Sequence, residues 1–271
     1  MKPHIVIDSR ARLRLNLREL FQYRELVYIL AARDVRVRYT QTALGFAWSL
    51  FQPLATLAIF TFLFGRVIKI QTGDVPYPLF AMTGITAWTY FTALIKDTGN
   101  VIINSQALVQ KVYFPRLVLP LSKAVYGLVD FGVSMALLFF VMLVYGHWPS
   151  ANVVFFPVFI FFNILSGLSV GLWVSALTLR LRDLQHIVPV VVQLGLYATP
   201  VAYPVTLVPP QYQNLYYLLN PAAGVIEGYR WCLFGGTLSP YAFVSFGMMA
   251  VMLVLGLFYF KKVETEMADI I

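Results

Sequence analysis

Charge, cysteine and histidine are all scarce in this chain of 271 residues. Asp, Glu, Lys and Arg together supply 12% of it, about half of the ~25% found in soluble domains. A single cysteine, Cys232, excludes an intramolecular disulfide and a cysteine-based metal cluster. His4, His147 and His186 stand far apart, so no histidine cluster offers itself to a metal. Also missing are the G-x-x-x-x-G-K-S/T phosphate loop, the G-x-S-x-G nucleophile elbow and the H-E-x-x-H zinc motif. These absences point to a non-catalytic chain with no cofactor or metal of its own. The first 18 residues, MKPHIVIDSRARLRLNLR, lack the apolar core and small-residue cleavage site of a signal peptide. The N-terminus is therefore expected to stay in the cytoplasm.

What is abundant is apolar surface: 59% of residues are hydrophobic, with 17 Gly and 15 Pro among the rest. That excess over the ~45–50% of soluble domains makes the bilayer the main solvent, and transmembrane helices tolerate Gly and Pro well. About 20 apolar residues cross the ~30 Å hydrocarbon layer. Four stretches qualify directly: 44–65, 121–145, 153–178 and 240–260. A fifth, 77–95, carries threonines but no charge, and a sixth, 187–203, is interrupted by Pro189 and Pro200. Six spans put both termini on one side. With the N-terminus inside, 17 of the 20 Lys and Arg fall on inside segments and only Arg66, Lys69 and Arg230 outside, which the positive-inside rule favours. The net charge of +8 is explained by that placement and calls for no nucleic-acid partner. The division is a cytoplasmic segment over 1–42, a membrane domain over 43–262 and a cytoplasmic tail over 263–271. The fold class is all-α and integral to the membrane.

Two segments are neither spans nor plain loops. From Glu19 to Arg38 there is no Pro or Gly, and Leu20, Tyr23, Val27 and Leu30 form one helical stripe. Such a helix suits the membrane interface, although a solvated helix stays open. Between the last two spans, over about 205–236, LYYLL and AGVIEGYRWCLF are short apolar pieces separated by NPAAG. They read as two short re-entrant helices, with an amphipathic external cap as the alternative. Glu227 and Arg230, at i and i+3, are expected to form a local ion pair. Asp130 lies inside a span, where it is either functional or a hydrogen-bonding group between helices. Gly167, Gly171 and Ser175 form a small-xxx-small series that permits close helix packing. Aromatic residues make up 16% of the chain. Trp48, Phe51, Trp88 and Phe91 lie deeper than an interfacial belt requires, beside Gln52, Thr86 and Thr92, and offer flat apolar faces of the kind that stack on rings.

The pieces ARDVRVRYTQTALGFAWSLFQPL, ALVQKVYFPRLVLPLS, VDFGVSMALL, LRLRDLQHIVP, ATPVAYPVTLVP and LNPAAGVIEGYRWCLFG, in this order, resemble the membrane subunits of ABC-2 type ABC transporters. Within that family the chain is most similar to permeases that export O-antigen and other polysaccharides. The resemblance implies a homodimer in the bacterial inner membrane, bound to two cytoplasmic ATPase subunits that carry the ATP and Mg. It implies a lipid-linked polysaccharide as substrate, with capsule polymers, teichoic acid, a lipid or a drug as alternatives; a non-transporting membrane scaffold is the reading from another class. It makes Lys111, Arg116, Arg182 and Asp183 candidate ATPase contacts. Tyr216, Tyr217, Glu227 and Arg230 become an external gate. A central channel would be lined by Trp48, Phe51, Trp88, Phe91 and Tyr197, and entered beside Arg36, Arg38 and Tyr39.

Overall fold

A computed structural model describes residues 17–40 and 45–270. The arginine-rich start of the chain (1–16), the junction 41–44 at the head of the first span, and the last residue lie outside the described residues. All regular elements among the described residues are helical. Helices α1 (Leu17–Gln22) and α2 (Arg24–Thr40) are parted only by Tyr23, whose N–H still reaches the Leu20 carbonyl at 3.1 Å. Helix α3 (Gly45–Phe60) runs on as a π-helix over Thr61–Val67. Helix α4 (Tyr77–Gly99) is followed by two short helices, α5 (Val101–Asn104) and α6 (Gln106–Lys111). Then come α7 (Val118–Val144), α8 (Phe156–Arg180), α9 (Leu184–Ala198), α10 (Pro210–Leu219), α11 (Ala223–Phe234) and α12 (Ala242–Ile270).

Among the described residues, five helical stretches are long and apolar enough to cross a membrane: Ala47–Val67, Tyr77–Gly99, Val118–Val144, Ala151–Arg180 and Ala242–Glu264. The sixth expected span is shorter than the sequence reading had it. Its helix, α9, has 15 residues and rises about 22 Å at ~1.5 Å per residue, against ~30 Å of hydrocarbon. Pro200 is the reason. A residue before proline is pushed out of the α region, and Thr199 is extended at φ −99°, ψ 149°. The chain continues as irregular backbone whose Val201 and Ala202 are buried.

Helix α4 is the axis of the bundle. Its span window is 83% buried, against 17–39% for the other four. Lipid tails give helices no hydrophobic reason to associate, so close backbone approach does that work. The small-residue series of α8 supplies it. A Cβ at Gly167 would stand 2.7 Å from the Leu94 side chain, and one at Gly171 2.9 Å from Thr98. Away from α4, the bundle presents Phe140 and Leu143 of α7, Phe161 of α8 and Val254, Leu255 and Phe258 of α12, all exposed, as lipid contact requires.

At the α2 end of the bundle a second cluster joins Leu30, Val101, Phe114, Val118, Leu172 and Phe260. Leu20, Tyr23 and Val27 pack against it, so the stripe seen in the sequence is the face by which α1 and α2 hold the bundle. At the opposite end, α10 and α11 are the two short helices foreseen between the last spans. Nine of the twelve residues of α11, among them Ile226, Tyr229 and Leu233, are buried. Helix α11 therefore folds into the protein, whereas α10 is mostly exposed and buries only Tyr217.

Candidate functional site

The α2 end carries the densest polar network. Asp130 of α7 accepts hydrogen bonds from the Tyr39 hydroxyl and from Ser49 Oγ at 3.0 Å, and pairs with Arg38 at 2.8 Å. Arg38 also donates to the Tyr126 hydroxyl at 2.8 Å. Lys123 Nζ sits 2.6 Å from Asp34, which Arg33 also approaches at 2.9 Å. The register explains the match. Lys123, Tyr126 and Asp130 follow one another at i, i+3 and i+7 on one face of α7, and Asp34 and Arg38 at i and i+4 on α2. Burial pushes the Asp34 carboxyl up, but hydrogen bonds and charge from Lys123 and Arg33 outweigh it and hold Asp34 below its usual range. Asp130 is thus a hydrogen-bonding hub that joins three helices.

From this hub a groove runs along α4. Two adjoining cavities of about 200 and 340 Å³ share walls formed by Gln52, Pro53, Thr89, Thr92 and Lys96. The first lies between α3, α4 and α7 and includes Arg38, Asp97 and Asp130. The second lies between α3, α4 and α9 and includes Trp88, Pro189 and Gln193. The wall carries two acids and two bases, Asp97 and Asp130 with Arg38 and Lys96, so the groove is polar but balanced. Thr89, Thr92 and Lys96 recur at i, i+3 and i+7 on one face of α4. Ending the fifth candidate span at residue 95 hid that stripe, and with it Lys96 and Asp97. Gln193 gave no local signal.

The aromatic residues expected to line a channel divide three ways. Trp48 and Phe51 are exposed on α3, with stacked rings 5.4 Å apart. Tyr197 is exposed on α9, 6.5 Å from the Phe60 ring. Trp88 borders the groove and closes on Gly195, where an added Cβ would meet its ring at 3.0 Å. Phe91, three residues on, lies in the core and supports Trp88 from 5.4 Å. Because α4 is enclosed on nearly every side, turning away from the groove leads into protein. The three entrance residues also differ: Arg36 is exposed, whereas Arg38 and Tyr39 are engaged with Asp130.

Of the expected ATPase contacts, Lys111, Arg182 and Asp183 are exposed, the last two in the turn that opens α9. Arg116 is half-buried and bonded within the chain. Its guanidinium closes the end of α6 by donating to the carbonyls of Val109 (2.8 Å) and Val112 (3.1 Å), and its backbone N–H donates to Glu264 of α12 at 3.1 Å. Carbonyls at a helix C-terminus need such donors.

At the opposite end, the expected Glu227–Arg230 ion pair does not form. Glu227 accepts the hydroxyl of buried Tyr217 from α10. Arg230 turns the other way and donates to the carbonyls of Val201 (2.8 Å) and Phe80 (3.4 Å), with its guanidinium 3.5 Å above the Phe80 ring. The irregular backbone after α9 leaves carbonyls without helical partners, and a buried carbonyl must be satisfied; an arginine supplies donors that an ion pair would have consumed. Tyr216 meets the Tyr203 hydroxyl at 3.2 Å.

The model of the ABC-2 type transporter family matches residues 25–234. The chain is 32% identical to the O-antigen export system permease protein RfbA of Myxococcus xanthus over 214 residues, 79% of this chain and 82% of that protein. It is 28% identical to the Klebsiella pneumoniae protein of the same name over 262 residues, 96% of this chain and 99% of that protein. The polysialic acid transport protein KpsM of Escherichia coli is 24% identical over 246 residues, 89% of this chain and 94% of that protein.

Proposed function

Since the chain belongs to the ABC-2 type transporter family, we propose that it is the membrane subunit of an ATP-driven exporter of lipid-linked O-antigen polysaccharide. The observation that carries this reading is the likeness, over nearly the whole length of both chains, to permeases named for O-antigen export. The groove supports it. A polymer of sugars needs hydroxyl-matching polar groups beside flat apolar faces, and Gln52, Thr56, Thr89 and Gln193 lie beside Trp88 there, with Trp48, Phe51 and Tyr197 exposed on the same two helices, α3 and α9.

In this reading α3 and α9 of two copies face each other, and the polymer passes between them. The α2 end is cytoplasmic, in line with the 17 inside lysines and arginines, and the α10–α11 end is external. The sixth crossing consists of α9 and the buried irregular backbone that follows it. ATP is hydrolysed by a separate subunit docked at Lys111, Arg182 and Asp183, and α2, bonded to α7 and packed on the same cluster as α5 and α6, carries its motion into the bundle. Arg36 supplies the exposed positive charge that a lipid pyrophosphate meets at the interface.

Copurification with the ATPase and reconstitution in proteoliposomes tests the proposal. Lipid-linked O-polysaccharide should stimulate ATP hydrolysis several-fold over the polymer-free carrier lipid. Equal rates would overturn it, and stimulation only by a capsule polymer would move the chain to the reading suggested by KpsM.

A further inference from the structure

The end of the bundle opposite α2 holds a further cavity of about 370 Å³, between the start of α4, the segment after α9 and the end of α11. We propose that this cleft is a subsite for one sugar ring of the exported polymer, which rests on the polysaccharide reading above. Its volume falls within the ~300–1,000 Å³ of small-ligand pockets, and its lining has the chemistry a pyranose requires. Trp231 and Phe234 give apolar surface, Thr237 and Ser239 give hydroxyls, and Glu227 and Arg230 face the same space.

The two charged residues form a built site. Arg230 is only 9% exposed. One terminal nitrogen is committed to backbone carbonyls, its plane rests on Phe80, and its Nε–H has no hydrogen-bond partner among the described residues. A buried donor left unmatched is costly and rare in folded proteins, and a guanidinium fixed on Phe80 and on two carbonyls is preorganised where it lines the cleft. Glu227 accepts the Tyr217 hydroxyl on one oxygen and lines the cleft beside Arg230. A carboxylate beside the guanidinium disfavours phosphate, which Arg230 alone would attract. A ring bearing both donor and acceptor hydroxyls satisfies the two together. The sites at the two ends differ accordingly: the groove along α4 is long and shared by several helices, whereas this cleft fits a single ring.

The full chain with its ATPase, in nanodiscs, provides the test. The probe is O-polysaccharide freed of lipid by mild acid from the host's own surface, and binding is read by saturation-transfer NMR. Two substitutions are made: Glu227→Gln, and Thr237→Trp, which fills the cleft from its exposed rim without touching the Arg230 bonds. Each should weaken binding at least tenfold in complexes that copurify normally. Where Thr237→Trp reduces copurification, Thr237→Val replaces it, with a smaller expected loss of about threefold. Parent-like binding by the variants, or no binding of the free polymer by the parent, would overturn the subsite. Hydrolysis stimulated by the intact lipid-linked polymer, measured in the same nanodiscs, reports separately on the export reading: stimulation without free-polymer binding removes the subsite alone.

Discussion

Asp130 is the single side chain on which most of the α2 end converges, and its replacement should show there first. Asp130→Ala removes the acceptor for Tyr39, Ser49 and Arg38 together, so trypsin should cut faster at Arg36 and Arg38. Asp130→Asn keeps an oxygen for Tyr39 or Ser49 and should fall between the two. Cutting rates equal to the parent's, read by mass spectrometry, would remove Asp130 as the anchor. Asp34 makes a pH-dependent contribution whose sign is fixed by its lowered pKa. A carboxylate held below its unfolded value stabilises above that value and loses the effect as pH falls through the native one. The melting-temperature gap between the parent and Asp34→Asn should be constant above about pH 5 and shrink as pH drops below ~4, the value of a free aspartate. Gly228 illustrates a steric limit. A Cβ there would lie 1.9 Å from the Phe159 ring, well past the overpacking that ordinarily costs about 1–3 kcal/mol. Gly228→Ala should therefore yield little folded protein, and combining it with Phe159→Leu should restore a measurable share, as coupled neighbours do.

Among elements, α4 and α8 define the frame; that α8 packs closely was readable in advance, while its partner was not. Small residues at a four-residue spacing have one strong physical use in a bilayer, and Gly167 and Gly171 meet Leu94 and Thr98 accordingly. Gly171→Leu should separate the two helices and lower the melting temperature far more than Gly132→Leu, a change at a position with open space around it; equal losses in a thermal scan would count against the contact. The apolar stripe of α1 and α2 was legible for the same reason, since a 3.6-residue period survives in any environment. Other features were not local. The shortness of α9 depended on where Pro200 ends the helix, a boundary that hydropathy blurs. The Glu227–Arg230 pair looked favourable at i and i+3, but carbonyls far away in sequence outbid Glu227 for the guanidinium. Phe91 shared the polarity and depth of Trp88, and only the packing around α4 separates a groove wall from a core residue. Periodicity, in short, reveals which face of a helix is special, while its partner decides what that face does.

For the whole molecule, charge sign and apolar length carried the class and the family likeness carried the activity, since the groove's balanced lining names no substrate by itself. One feature of the α2 end has a mechanical meaning. Tyr39 stands before the 41–44 junction and Ser49 after it, and both hydrogen-bond the same carboxylate of α7. The two flanks of the junction are thus tied to one point on α7. A displacement of α2 at Tyr39 is delivered through that carboxylate to α3 at Ser49 and to α7 at once. In the export reading proposed above, a cross-link spanning residues 39 and 49 should leave transport speed nearly unchanged, and a marked slowing would count against the link through Asp130.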